Sequence, residues 1–258
     1  MIGSIVEQII IPVPEISSNS ITNIFNRYLD VIVHVNQRLA KEVTCQLAKE
    51  RIVLTIGGDH SIGLGSVAGS LQYDNNIGLI WFDAHGDMNT EATSPTGHIH
   101  GMPVASLMGL GSSKLNDSTP IHIKPENIFW IGSRDLDEGE QNLVKNLNLN
   151  VYSTELIKKV GMNHVMDKIK WKMEEQGIRN VHLSFDVDAL DPRIFPATGV
   201  PVTNGLTIED FYTFTNHLSS LPEIIALDFV EYYPTLDNEN KDCKNLATHI
   251  ITNIITSL

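Results

Sequence analysis

Residues able to do metal chemistry sit in two short stretches of this 258-residue chain. Residues 77–101 read IGLIWFDAHGDMNTEATSPTGHIHG, with Asp83, His85 and Asp87 at i, i+2 and i+4. On an extended chain successive side chains alternate faces, so the three are expected to point the same way. Residues 180–192, NVHLSFDVDALDP, repeat the device with Asp186 and Asp188. A lone acidic residue after an apolar run is usually a helix cap or a turn former. Four aspartates and a histidine placed alike are different, because like charges packed together repel unless a cation stands between them. His60, in the stretch GGDHS after the apolar residues 51–56, adds a second imidazole at a strand end.

This ligand inventory is rich in oxygen and has no thiolate. It suits a pair of hard or borderline divalent ions, manganese rather than a four-coordinate structural zinc. Two ions close together can share a water and lower its pKa, which supplies hydroxide at neutral pH. The expected reaction is metal-assisted hydrolysis.

The elements that must position these residues follow from hydrophobic periodicity. Residues 77–82 alternate poorly and read as a strand buried on both faces, the habit of a parallel sheet. Residues 51–56, 128–132, 181–185 and 224–230 read as further strands, residues 151–153 as a brief one, and residues 8–13 as a short strand limited by Pro12 and Pro14. Between them, apolar positions Ile24, Phe25, Leu29, Ile32, Val33, Val35, Leu39, Val43 and Leu47 recur at three and four, predicting one or two helices from Ile21 after a loop at 17–20. Ser61 is expected to cap a helix running to Leu71, Thr207 to begin one with Asp210 in its first turn, and residues 162–176 and 246–258 to form two more. Residues 109–127 and 192–205 read as loops. Strands alternating with helices predict an α/β fold with a mainly parallel sheet, and open sheets of that kind keep their sites at the carboxyl ends of strands.

Composition sets bounds. A hydrophobic content of 42% in 258 residues suits a single domain with one large core. The formal charge of −13, with no basic run, argues against nucleic acid as a partner. Cys45 and Cys243 are too few for a disulfide framework. The amino terminus lacks the features of a signal peptide and no segment is long enough to span a bilayer, so a cytoplasmic protein that does not enter membranes is expected.

Several motifs in order, GGDHS at 57–61, DAHGDMN at 83–89, SPTGHIHGMP at 94–103, IGSRDLDEGE at 131–140, SFDVDALDP at 184–192 and DFVEYYP at 228–234, resemble the ureohydrolase superfamily, and arginases most closely. The resemblance implies a three-layer α/β/α fold and hydrolysis of L-arginine to L-ornithine and urea, with agmatinase- or formimidoylglutamase-type hydrolysis of another guanidino or amidino compound, or a non-catalytic metal-binding relative, as the alternatives. It implies two Mn²⁺ per chain, one matched by His60, Asp83, Asp87 and Asp186 and the other by His85, Asp83, Asp186 and Asp188, with Asp83 and Asp186 bridging. It further implies Glu231 as the carboxylate that holds the guanidinium, His100 as the proton shuttle, and Asp87 beside them in the catalytic set. Asn89, Thr96 and His98 match the substrate-carboxylate end, while Asp137 and Glu140 match the amino end. A homo-oligomer, trimer or hexamer, is also implied. His98 stands where arginases usually have Asn, and Thr96 where many have Ser. The region before His60 is short, without the first strand and glycine-rich loop usual in the family.

Overall fold

A computed structural model describes residues 7–14, 24–239 and 241–258. The described strands are β1 (Val53–Ile56), β2 (Gly78–Phe82), β3 (Ile128–Ile131), β4 (Asn150–Tyr152), β5 (Asn180–Asp186) and β6 (Glu223–Val230). They form one sheet in the order β1-β6-β5-β2-β3-β4. Every neighbouring pair is parallel. The helices are α1 (Ile24–Leu47), α2 (Gly63–Tyr73), α3 (Pro103–Leu107), α4 (Ser113–Asn116), α5 (Glu138–Leu147), α6 (Thr154–Val160), α7 (Met162–Glu175), α8 (Ile208–Leu218) and α9 (Asp242–Thr256).

Two-residue periodicity divides the core. Leu79, Trp81, Ile128 and Trp130 point to one face of the sheet and pack against α1 and α2, through residues such as Val43, Leu64 and Val67. Ile80, Phe82, Phe129 and Ile131 point to the other, against Ile169, Phe214 and Ile250 of α7, α8 and α9. Both faces of the sheet are therefore covered, which explains why β2 and β3 are unbroken apolar runs. The result is the expected three-layer α/β/α arrangement.

Several boundaries differ from the sequence reading, each for a local reason. Residues 24–47 form one helix, with Leu29, Val33, Leu39, Val43 and Leu47 on its buried face. The loop expected at 17–20, the helix start at Ile21 and the side chains of Ile24 and Phe25 lie outside what is described. Residues 8–13 join no ladder and expose Ile9, Ile10 and Val13. Residues 109–127 contain α4 and a short 3₁₀ turn, Pro125–Asn127. The last helix starts at Asp242 because Asp237 accepts hydrogen bonds from the amides of Cys243 and Lys244. Thr207 and Asp210 form the reciprocal capping box that opens α8. No described helix is long and apolar enough to cross a membrane.

The contact between α1 and α2 is unusually close. The Gly65 amide donates to Asn36 Oδ1 at 2.6 Å, and a Cβ on Gly65 would stand 2.5 Å from the Asn36 carbonyl oxygen. Gly65→Ala should therefore force the helices apart and cost about 1–3 kcal/mol. Denaturant unfolding should show that loss.

Candidate metal centre and pocket

Loops after four adjacent strands, β1, β6, β5 and β2, meet above the carboxyl edge of the sheet. His60 opens the short 3₁₀ turn His60–Ile62 beyond β1, and the turn is capped by Asp59, not by Ser61 capping α2 as expected. Asp59 prevails because its side chain accepts from both the amide and the hydroxyl of Ser61. The His60 ring lies flat on Trp81, centroids 3.9 Å apart at 8°. Its Nε2 faces Ser184 Oγ at 2.9 Å. Beneath, Ser184, Ser66 and His182 Nε2 all converge on Asp228 Oδ2, and Ser70 Oγ meets His182 Nδ1. This wholly buried polar chain locks the ring and turns Nδ1 toward the site.

The expected ligands converge, although not by strand alternation. β2 stops at Phe82, so Asp83, His85 and Asp87 lie in the turn beyond it. Asp83 curls back to accept the His85 amide at 2.7 Å and Trp81 Nε1 at 3.0 Å. Asp87 has φ +52°, a left-handed backbone that costs a non-glycine residue about 1–2 kcal/mol. Asp186 ends β5, and Asp188 sits in the 3₁₀ turn Val187–Ala189, which Asp186 caps through the Asp188 amide at 2.8 Å. Turn geometry therefore brings these side chains to one point.

Two groups of three result, His60/Asp83/Asp186 and Asp83/His85/Asp188, each with one ligand atom per residue within 4.8 Å of the others. Asp83 belongs to both. His60 Nδ1 stands 2.8, 3.1 and 3.2 Å from oxygens of Asp83, Asp87 and Asp186, yet makes no well-directed hydrogen bond to any. His85 Nδ1 lies 3.0 Å from Asp188 and 3.5 Å from Asp83. A buried nitrogen amid three carboxylates, without a directed hydrogen bond, fits a cation at the common point, so the residues suit divalent ions.

Electrostatics agree. Burial opposes charge on His85, but Asp188 and Asp83 outweigh it and push its pKa up to about 12. Burial and then the neighbouring Asp83 push Asp87 up to about 7. Asp186 is held well above the carboxylate range by burial, Asp188 and Asp83. Burial opposes ionisation of Asp83 too, but its contacts with His60 and His85 hold its carboxyl below that range. Without cations, protons must stand in for them.

A cleft of about 290 Å³ opens over the cluster. His60, His85, Asp87, Asp186 and Asp188 form its floor, and Asn89, Thr96, His98, His100, Asp137, Glu140 and Glu231 its walls. Glu231 has φ +63°, accepts the His60 amide at 2.8 Å, and lies 3.5 Å from His100 Nδ1. Glu231 raises the pKa of His100, against the effect of burial. The His98 and His100 rings meet edge to face at 5.5 Å. Asp137 and Glu140 also form the capping box of α5, and Asp137 Oδ2 accepts Asn89 Nδ2 at 2.6 Å. Burial pushes Glu140 up to about 7. Thr96 Oγ1 accepts the His98 amide at 3.3 Å. Ser94, Asp135 and Val200 also line the cleft and were not singled out from sequence, since each stands in a loop with no periodic signal.

An α/β/α sheet carrying paired metal-binding groups under a polar cleft defines a metallohydrolase of the three-layer class. The Arginase family's sequence profile matches residues 7–256. An arginase of Staphylococcus aureus (strain COL) is 42% identical over 226 residues, 88% of this chain and 75% of the relative. One of Brevibacillus brevis is 41% identical over 218 residues, 83% of this chain and 72% of the relative. The native structure of arginase from Bacillus caldovelox superposes with a TM-score of 0.88 at 35% identity, covering 95% of this chain and 82% of that one. The Entamoeba histolytica arginase in complex with L-ornithine gives 0.86 at 34% identity, covering 95% and 83%. The chain belongs to the arginase family, whose members are hydrolases of amidine C–N bonds with a binuclear metal site.

Proposed function

We propose that the protein hydrolyses L-arginine to L-ornithine and urea with two manganese ions. The observation that carries the proposal is the pair of ligand groups sharing Asp83, set beneath Glu231 and His100 in one cleft. The similarity to arginases supports it. His60, Asp83, Asp87 and Asp186 would hold one ion, and His85, Asp83, Asp186 and Asp188 the other. The oxygen-rich donor set favours manganese. When bound, the ions would make water nucleophilic at neutral pH by lowering its pKa.

The remaining roles fall to side chains. Glu231, close to the cluster, would receive the guanidinium by charge-assisted hydrogen bonds and aim its carbon at the floor. Asp87, between floor and wall, would orient the reacting group. His100, 3.5 Å from Glu231, would deliver a proton to the leaving amine, and its exposure on one side lets it recover that proton from water. Asn89, Thr96 and His98 would take the substrate carboxylate, and Asp137 with Glu140 its ammonium. A cytoplasmic homo-oligomer, trimer or hexamer, without membrane or nucleic-acid partners completes the reading; the negative charge and the absence of a membrane-crossing helix among the described residues agree with the last two points. Urea and ornithine should appear in equal amounts when L-arginine is given to manganese-loaded protein. Two bound ions with no urea from any guanidino compound would overturn the reading.

The protonation of the ligands themselves predicts a pH dependence. His85, pushed up to about 12, holds a proton at neutral pH, and Asp87, pushed up to about 7, holds one in part; ions must displace both. Metal uptake should therefore release protons, and affinity should rise with pH. Activity should climb from weakly acid to alkaline pH accordingly. Calorimetry in buffers of different ionisation enthalpy measures the release, and uptake without protons, or an activity optimum below about pH 6, would contradict it.

A further inference from the structure

Arg134, just beyond β3, has no carboxylate partner among the described residues. Its guanidinium instead donates to main-chain carbonyls. Nη2 reaches Asp188 at 2.7 Å, Val202 at 2.7 Å and Leu190 at 3.4 Å. Nη1 reaches Gly132 and Ala189, and Nε reaches Thr203, each at 3.1 Å. Its own amide donates to the Ala84 carbonyl at 2.8 Å, between Asp83 and His85. Asp188 Oδ1 in turn accepts the Ala84 amide at 3.2 Å. The side chain thus ties the turn carrying Asp188 to the loop 192–205, and holds both against its own main chain, whose amide is fixed on the segment carrying His85.

That loop has other ties as well, the Tyr233 amide donating to the Ala197 carbonyl and Lys158 Nζ to the Asn204 carbonyl, each at 2.9 Å, but none of these reaches Val202 or Thr203. Its base is closed by the Gly205 amide donating to Asp191 Oδ2 at 3.0 Å and by the Asp191 amide donating to the Leu206 carbonyl. A Cβ on Gly205 would fall 2.4 Å from the Asp191 amide nitrogen, so only glycine lets the strands of the loop close. Further out, Val200 stands in the cleft wall, and Val202 and Thr203 are held by Arg134. A planar fork with five N–H groups can serve carbonyls from three segments at once. A lysine, with three donors on one atom, cannot span them.

We infer that Arg134 is a positioning residue: it sets the spacing between Asp188 and His85 and fixes the Val200 wall of the cleft. The inference rests on the two-ion reading of the site but not on the identity of the substrate. It is tested by titrating metal-free Arg134→Lys and Arg134→Gln with Mn²⁺ by calorimetry, alongside limited proteolysis of the loop 192–205. Loss of such outer contacts typically weakens metal affinity by about 10–100-fold. One of two binding events, that of the His85/Asp188 group, should weaken by at least about 10-fold, with faster cleavage of the loop, while the other event keeps its affinity. Arg134→Gln, which keeps a planar donor, should lie between wild type and Arg134→Lys. A lowered melting temperature with both affinities and the cleavage rate unchanged would make Arg134 merely structural and overturn the inference. Equal weakening of both events would overturn it too. A wild type that binds no pair of ions would instead show that the two-ion reading had failed. If one variant does not fold, the other decides.

Discussion

Asp83→Ala is expected to remove both ions together and to lower urea release by roughly 10³-fold or more, the scale of losing metal assistance altogether. Asp83 belongs to both groups of converging ligand atoms, and it also positions His85 by accepting its amide, while itself held by Trp81 Nε1. Asp87 touches only the His60 side, so Asp87→Asn should spare the second ion. The metal-free forms should differ in stability as well. The carboxyl of Asp83 is held below its ordinary range, so it stabilises the fold above its unfolded pKa, and that contribution is lost as pH falls through the folded value. Asp87, raised to about 7, does the reverse: in metal-free protein its ionisation destabilises the fold as pH rises through 7. At neutral to alkaline pH the metal-free Asp83→Ala protein should melt lower than wild type and Asp87→Asn higher. Elemental analysis that finds one ion retained by Asp83→Ala would show that the two positions do not share it.

The second large effect concerns the far end of the substrate. Asp137 accepts the Glu140 amide on one oxygen and Asn89 on the other, yet each carboxylate oxygen can accept a further hydrogen bond, and Asp137 lines the cleft. If an α-ammonium completes that set, a substrate lacking the amino-acid head leaves polar groups unmatched. A site built to hydrogen-bond a group rejects the analogue without it by up to about 10⁴-fold, far beyond what a missing methylene achieves. L-arginine should therefore exceed agmatine and 4-guanidinobutyrate in kcat/KM by a wide margin. Asp137→Ala should erase the margin with metal content intact, although loss of the α5 cap should cost about 1 kcal/mol of stability as well. Glu231→Ala should abolish turnover of every guanidino substrate alike. Comparable values for agmatine and arginine would sink the substrate assignment without touching the metal centre. His98, edge-on to His100 at 5.5 Å, is the residue through which such a departure would act.

Much of this arrangement was legible in the chain because its signals are local. Buried parallel strands appear as unbroken apolar runs, and β2, β3, β5 and β6 lie within a residue or so of where periodicity placed them. Ligand types at strand ends were legible for the same reason. Why they converge was not. Strand alternation predicted a common face for Asp83, His85 and Asp87, whereas the chain leaves the sheet at Phe82 and reaches the site through a turn with a left-handed Asp87. Backbone conformations of that kind carry no periodicity, and aspartate is not the residue that advertises them. Arg134 was illegible for a further reason: its partners are carbonyls, which every residue has, so no residue type across the loop reveals the contact. Asp137 shows the converse. Its capping role and its proposed substrate role need the same carboxylate at the same turn, and sequence alone cannot separate them.

The central claim, a binuclear site that hydrolyses L-arginine, is tested most directly by titrating Mn²⁺ into metal-free protein and following urea release against ions bound per chain. Activity should remain low through the first equivalent, rise with the second and saturate there. Full activity at one ion per chain, or none at two, would contradict the account.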